Sequence, residues 1–245
     1  MILRSVMKHV RDQNWVAVGL DFLIVVVGVF IGIQVANWNE ARREEALGEA
    51  YLDRLSDDLV AMETYLEGTI GVMQERLVLT TGLLKAASKV EVDDDELTEA
   101  TRAFITRGWT TPNLMIIDTV FEDLTSTGNL GLIDEAIWRR VSSYYAGLEG
   151  LLNGIEINQN WALRNDSRLV YEHDQFLWDE ELDAVLGAPD EERLRLSVTS
   201  ARADLARLAT TYHYIQQSSI VNYQSALDET RDLIDAIEFT FRAGR

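Results

Sequence analysis

The sequence predicts an all-α protein in which an N-terminal transmembrane helix is followed by an elongated antiparallel helical bundle with long heptad-patterned helices. Three observations carry this reading. One apolar run near the start is long enough to cross a bilayer. Apolar residues elsewhere recur at steps of three and four, and no segment alternates apolar and polar over a strand's length. Proline occurs only twice in 245 residues, so little interrupts a helix. The predicted organisation is a basic amphipathic interfacial helix over 1–13, a transmembrane helix over 14–38 and an acidic α-helical extramembrane domain over 39–245.

Ile2, Leu3, Val6, Met7 and Val10 recur at helical spacing, with Arg4, Lys8 and Arg11 on other faces. Such a helix suits the headgroup layer of an anionic leaflet. Val16 to Ala36 then reads VAVGLDFLIVVVGVFIGIQVA, with Asp21 its single charge. A run of about 21 residues spans ~30 Å of hydrocarbon. Trp15 and Trp38 bracket it as interfacial anchors. A cleavable signal peptide fits poorly, because the run is long and Gln34 would occupy the −3 position of a cut after Ala36. The three basic residues before the span favour a cytoplasmic N-terminus and a periplasmic C-terminal domain, in a bacterial inner membrane. Within the span, Gly28, Gly32 and Ala36 repeat every four residues, and Asp21 falls within about 20° of the same face at ~100° per residue. Small residues at this spacing let a second helix approach, so Asp21, Gly28, Gly32 and Ala36 are the candidate membrane packing face.

Beyond the span, Leu47, Tyr51, Leu55, Leu59, Met62, Leu66, Ile70, Met73, Leu77 and Leu84 form one apolar stripe on a long helix. A straight helix of about fifty residues is ~75 Å long and stalk-like, which favours self-association. Asp93, Asp94, Asp95 and Glu96 end the stripe and suit a helix N-terminus. They lack the central Gly and terminal Glu of a calcium loop. A short helix is expected over about Glu96 to Thr106, ending at Gly108, and another over Ile116 to Leu124, closing on Ser126-Thr127-Gly128. Asp134 is the expected N-cap of a third segment running to about Trp178, with Leu148, Leu152, Ile155 and Trp161 on its apolar side. Gly187-Ala188-Pro189 breaks the chain, and Pro189 can open the last helix. There Leu194, Val198, Ala201, Leu205, Leu208, Tyr212 and Ile215 take alternating 4-3 steps. Beyond Ser218-Ser219 the stripe is expected to resume shifted, as Ile220, Tyr223, Leu227, Ile234, Ile237 and Phe241.

Composition removes whole classes of function. The chain has 22 basic and 41 acidic side chains, a net charge of −19 and a pI near 4.5. Setting aside the three basic and two acidic residues of 1–38 leaves 19 and 39, a net −20 for the exterior. Phosphate backbones are bound by Lys and Arg, so nucleic acid is not an expected partner. With no cysteine there is no disulfide, thiolate metal site or thiol nucleophile. Of the three histidines, His173 and His213 have Val170 and Thr210 three residues earlier, not the Glu that a di-iron bundle requires. Glu172, His173 and Asp174 are better read as a polar patch than as a metal site, and His213 as a structural neighbour of Tyr212. No nucleophile elbow, phosphate loop or dinucleotide fingerprint occurs. No catalytic residue, cofactor or metal is therefore expected, and the protein does not read as an enzyme.

Two segments carry a resemblance. Gly28 to Glu40, GVFIGIQVANWNE, contains a Gly-Ile-x-x-x-x-Trp-Asn-Glu element, and Thr119 to Ile133, TVFEDLTSTGNLGLI, precedes the pair Tyr144-Tyr145. In that order they resemble a family of uncharacterised bacterial single-pass membrane proteins, a domain of unknown function. The resemblance implies a membrane anchor and a helical exterior and brings no catalytic residue or ligand. The expected function is a membrane-anchored structural or accessory protein, acting through helix–helix association. Its expected partners are membrane lipids and either further copies of itself or a larger membrane complex. The alternative is a periplasmic helical sensory or ligand-binding module that signals through a membrane partner.

Overall fold

The computed structural model describes residues 15–91, 93–109, 112–172 and 191–243. The expected interfacial helix over 1–13, the Gly187-Ala188-Pro189 break, His173 and Asp174 lie outside the described residues. The protein is all-α, with no strand among the described residues. Among the described residues six α-helices follow in order: α1 Trp15–Ser88, α2 Asp94–Ala103, α3 Thr119–Thr127, α4 Glu135–Glu172, α5 Glu191–Ser200 and α6 Arg202–Ala243. A π-helical turn, Phe104–Gly108, continues α2, and a 3₁₀ turn, Asn129–Leu132, follows α3. The chain divides into two compact units, Met1–Tyr51 and Leu52–Arg245.

The second unit is built on one seam. On α1 the buried positions include Leu55, Leu59, Met62, Leu66, Thr69, Met73, Thr80, Leu83 and Ala87, with Tyr51, Leu52, Ile70 and Ala86 buried beside them. The seam from Leu55 to Ala87 is an unbroken 4-3 repeat through half-buried Arg76. The apolar stripe read from sequence runs with it as far as Met73 and then drifts one position aside: Leu77 and Leu84 are half-buried, while Thr80 and Leu83 are fully buried. At the other end Leu47 is exposed. On α6 the seam is Tyr212, Gln216, Ser219, Tyr223, Ala226, Thr230, Leu233 and Ile237, all buried at 4-3 steps. Of the residues expected beyond Ser218-Ser219, Ile220, Tyr223, Leu227 and Ile237 are buried and Ile234 and Phe241 half-buried, while the 4-3 seam itself runs on without a break. Ser219 is itself a seam residue, and the smaller polar side chains hide the continuity from an apolar count.

The last helix is two helices. A turn at Ala201 divides α5 from α6, although Val198, Ala201, Leu205, Tyr212 and Ile215 are buried as expected. Leu208 is half-buried and Ala209 takes the buried place; the Leu194 side chain lies outside the described residues. The break has two causes, one local and one supplied by the end of α1. The Ser200 hydroxyl donates to Ser197 O at 2.8 Å and Thr199 to Arg195 O at 2.9 Å, bonds that bend a helix. Arg202 is drawn away, donating through Nε to Ala87 O at 2.8 Å and through its terminal nitrogen to Lys89 O. It thereby caps the last carbonyls of α1, which no intrahelical donor reaches.

The short elements are positioned by named groups. Asp93 caps α2, accepting from Asp95 N and Glu96 N at 3.1 Å, so the acidic cluster is a helix start, as the sequence predicts. Asp134 caps α4 from Ala136 N at 2.8 Å. Gly128 ends α3 at φ +74, the left-handed conformation that glycine adopts without Cβ strain. α3 starts at Thr119, three residues later than the sequence predicts. The preceding backbone is already engaged: Tyr65 donates to Asn113 O, Met115 N donates to Tyr65 Oη at 3.1 Å, and Tyr145 donates to Ile117 O at 3.1 Å. The cap comes from another helix, with Val120 N donating to Asp58 Oδ2 of α1 at 3.0 Å.

α4 and α6 run antiparallel. Tyr144 Oη lies 2.8 Å from Thr230 Oγ1, and Arg140 donates to Asp232 O at 3.1 Å. α1 and α6 are also antiparallel, with Arg202 beside Ala87, Gln216 beside Thr80 and Arg231 paired to Glu63 and Glu67. Leu148 and Ile155 of α4 are buried and Leu152 half-buried, whereas Trp161 is 52% exposed. Trp161 thus does not extend the apolar side as expected.

Candidate functional site

The residues singled out in sequence lie on the first part of α1. Leu20, and every residue from Phe22 to Leu47, is exposed. Phe22 is 71% exposed and Phe30 60%. Among the described residues this is one helix, near the N-terminus, long and apolar enough to cross a membrane. The exposure is what distinguishes it from a core helix. In water, apolar surface of this extent is unfavourable by about 25 cal/mol per Å², and in hydrocarbon the penalty vanishes.

Gly28, Gly32 and Ala36 fall in this segment, one helical turn apart and ~6 Å along the axis at each step. A Cβ added at Gly28 or Gly32 would meet nothing within 4 Å, so neither glycine is required by a contact within this chain. The side chains of Trp15 and Asp21 lie outside the described residues. Trp38 is 62% exposed at the other end, and the Arg42 guanidinium lies over its ring, 5.2 Å from the centroid. Sequence reasoning named Trp38 without Arg42. The signal was available, since positions four apart on a helix share a face.

In the Leu52–Arg245 unit, two polar groupings are buried. Thr80 Oγ1 donates to Gln216 Oε1 at 2.8 Å, and Gln216 Nε2 donates to Gly108 O at 2.5 Å, at the end of the π-turn. Gly108 is needed there, because a Cβ would lie 2.9 Å from Phe104 Cδ2 and 3.4 Å from Leu79 Cβ. The second grouping is aromatic. Phe121 stacks on Tyr145 at 4.4 Å and on Trp138 at 5.6 Å, and Tyr145 meets Tyr144 edge-on at 5.1 Å. Burial pushes the Tyr144 hydroxyl up to about 12, the Thr230 hydrogen bond opposing it. Burial also raises Tyr145, with Tyr144, Asp58 and Asp118 adding to the effect. A phenol held neutral this way, with a hydrogen-bond partner on each hydroxyl, is suited to packing and not to proton transfer at neutral pH.

His213 is half-buried with Nδ1 3.2 Å from Thr81 Oγ1, beside Tyr212 as expected. Among the described residues no three His, Asp or Glu side chains converge on a point that could hold a metal ion. No protein-family model, curated protein or solved structure matches the chain.

Proposed function

We propose that the protein is a single-pass membrane-anchored accessory or structural protein, held in a bacterial inner membrane by residues 14–38, with its N-terminus cytoplasmic and its acidic helical domain periplasmic. The observation that carries the anchor is the all-round exposure of an apolar segment from Phe22 to Ala36. A helix apolar on every side belongs in lipid, whereas a core helix is buried in its own chain.

The work of the anchor is association. Gly28 and Gly32 have open space around them, so their small size serves no packing within the chain. In lipid, close backbone approach supplies the van der Waals contact that drives helix pairing. Asp21, on the same face by helical phase, supplies a hydrogen-bonding group toward a neighbour, in a self-association or in a larger membrane complex. Gly28→Ile and Gly32→Ile, compared with wild type by crosslinking and native gel in mild detergent, test this. Loss of assembly with normal helicity of the exterior places the contact in the bilayer. Unchanged assembly in both variants removes the small-residue face from the account.

A further inference from the structure

The end of the apolar segment holds two arginines in an unusual state. Among the described side chains, most arginines of the Leu52–Arg245 unit meet a carboxylate: Arg54 with Asp123, Arg102 with Glu99, Arg139 with Glu135, Arg195 with Asp95, Arg207 with Asp204, Arg231 with Glu63 and Glu67, Arg242 with Glu238. Arg42 and Arg43 make no ion pair among the described residues, although Glu40, Glu44 and Glu45 flank them. Arg42 lies over the Trp38 ring instead. Stacking engages the face of a guanidinium and leaves its N–H donors free at the edge, in the fork that fits two phosphate oxygens. The ring belongs to a Trp at the boundary of the apolar segment, the depth at which lipid headgroups lie.

We propose that Trp38 and Arg42, with Arg43 turned about 100° around the helix, form a binding site for the phosphates of anionic phospholipid headgroups at the C-terminal end of the span. This rests on the anchor reading and adds a ligand to it. Trp38 sets the depth, and its ring keeps the Arg42 guanidinium at the boundary. Arg43 engages a second headgroup. The acidic exterior makes the site necessary in a physical sense. A net −20 beyond residue 38 repels an anionic surface, and two arginines at the exit point give the helix a local attraction that opposes it.

The test uses the full-length protein in vesicles of phosphatidylcholine containing a small fraction of spin-labelled phosphatidylglycerol or spin-labelled phosphatidylcholine. The fraction of each probe held at the protein is read by electron spin resonance. Wild type is expected to prefer phosphatidylglycerol, and Arg42→Gln/Arg43→Gln to lose about fivefold of that preference per arginine. Trp38→Ala should lose part of it with both charges present, because the Arg42 fork is no longer held. Salt near 1 M should abolish the preference in wild type, since the Debye length is then ~3 Å. Retention of every variant in vesicles after carbonate wash is measured alongside. Wild type washed out by carbonate would sink the anchor reading itself. Retained protein with equal affinity for the two probes, or an unchanged preference in the double variant, overturns the headgroup site alone.

Discussion

Residues 22–38 and 52–88 belong to one helix and are both rich in Leu, Ile and Val, yet they treat those side chains in opposite ways. In the first stretch every residue is exposed, at all helical phases. In the second, Leu55, Leu59, Leu66 and Leu83 are fully buried on one face, and Glu63, Glu67 and Arg54 on the other faces make ion pairs. Hydrophobicity alone therefore does not decide where a helix goes; its angular distribution does. A stripe is satisfied by neighbouring helices of the same chain, and an unbroken apolar cylinder needs a solvent of its own kind.

The sharpest way to break the comparison is to make the same truncation in both stretches. Leu66→Ala should destabilise the exterior by about 2–5 kcal/mol, through lost burial plus a cavity. Val29→Ala should leave its urea midpoint within the error of the measurement. Equal effects would show that residues 22–38 pack against the exterior.

The comparison also extends to pH. Tyr144 has its folded pKa raised from 10 to about 12 by burial, so the folded state holds its proton more tightly than the unfolded one. This contribution is fully present below pH 10 and is lost as pH rises from 10 toward 12, at ~1.4 kcal/mol per unit of separation. Exterior unfolding, followed by circular dichroism, should weaken across that window, and Tyr144→Phe should flatten the dependence. An unchanged slope in the variant would place the titration elsewhere.

Within the seam, the polar layer is the next test. Thr80→Val keeps the shape and removes the donor to Gln216, leaving a buried amide oxygen unsatisfied at a cost of about 1–3 kcal/mol. Thr80→Ser keeps the hydroxyl and should lose less. Smaller still is Asp58→Ala, which uncaps α3 at Val120 N and should cost about 0.5–2 kcal/mol, read as a lower thermal midpoint.

The seam explains how far the fold was legible. The all-α class, the caps at Asp93 and Asp134, the Gly128 stop and the core run from Leu55 to Met73 follow from spacing and local chemistry. The reading failed where polar residues sit on the seam. Thr69, Arg76, Thr80, Gln216, Ser219 and Thr230 continue the 4-3 repeat, while apolar Ile70, Leu77, Ile220 and Ile234 stand one position aside. An apolar count follows those neighbours, of which Ile70 and Ile220 are themselves buried, and misses the continuity of the seam. Three of those polar residues have partners on helices more than 80 residues away in sequence, Thr80 with Gln216 and Thr230 with Tyr144. Nothing in local sequence announces them. The start of α3 and the break at Ala201 were hidden for the same reason, since Tyr65, Asp58 and the Ala87 carbonyl act from outside the local chain. Of the candidate site, the one helix long and apolar enough to cross a membrane was legible from composition and length. The Arg42 contact with Trp38 was within reach of the i,i+4 rule.

The claim that one helix lies in two solvents is tested most directly by thiol accessibility, for which a chain without cysteine is well suited. Single cysteines are placed at successive positions from 22 to 36 and from 52 to 66 of the full-length protein in membranes, and their labelling by a charged maleimide is measured. The account predicts uniform protection across 22–36 at every helical phase, because no thiolate forms in hydrocarbon, and a 3.6-residue alternation across 52–66 with protection at 52, 55, 59, 62 and 66. Labelling that alternates with helical period across 22–36 as well would contradict it, since that segment would then have one face in water and one against protein.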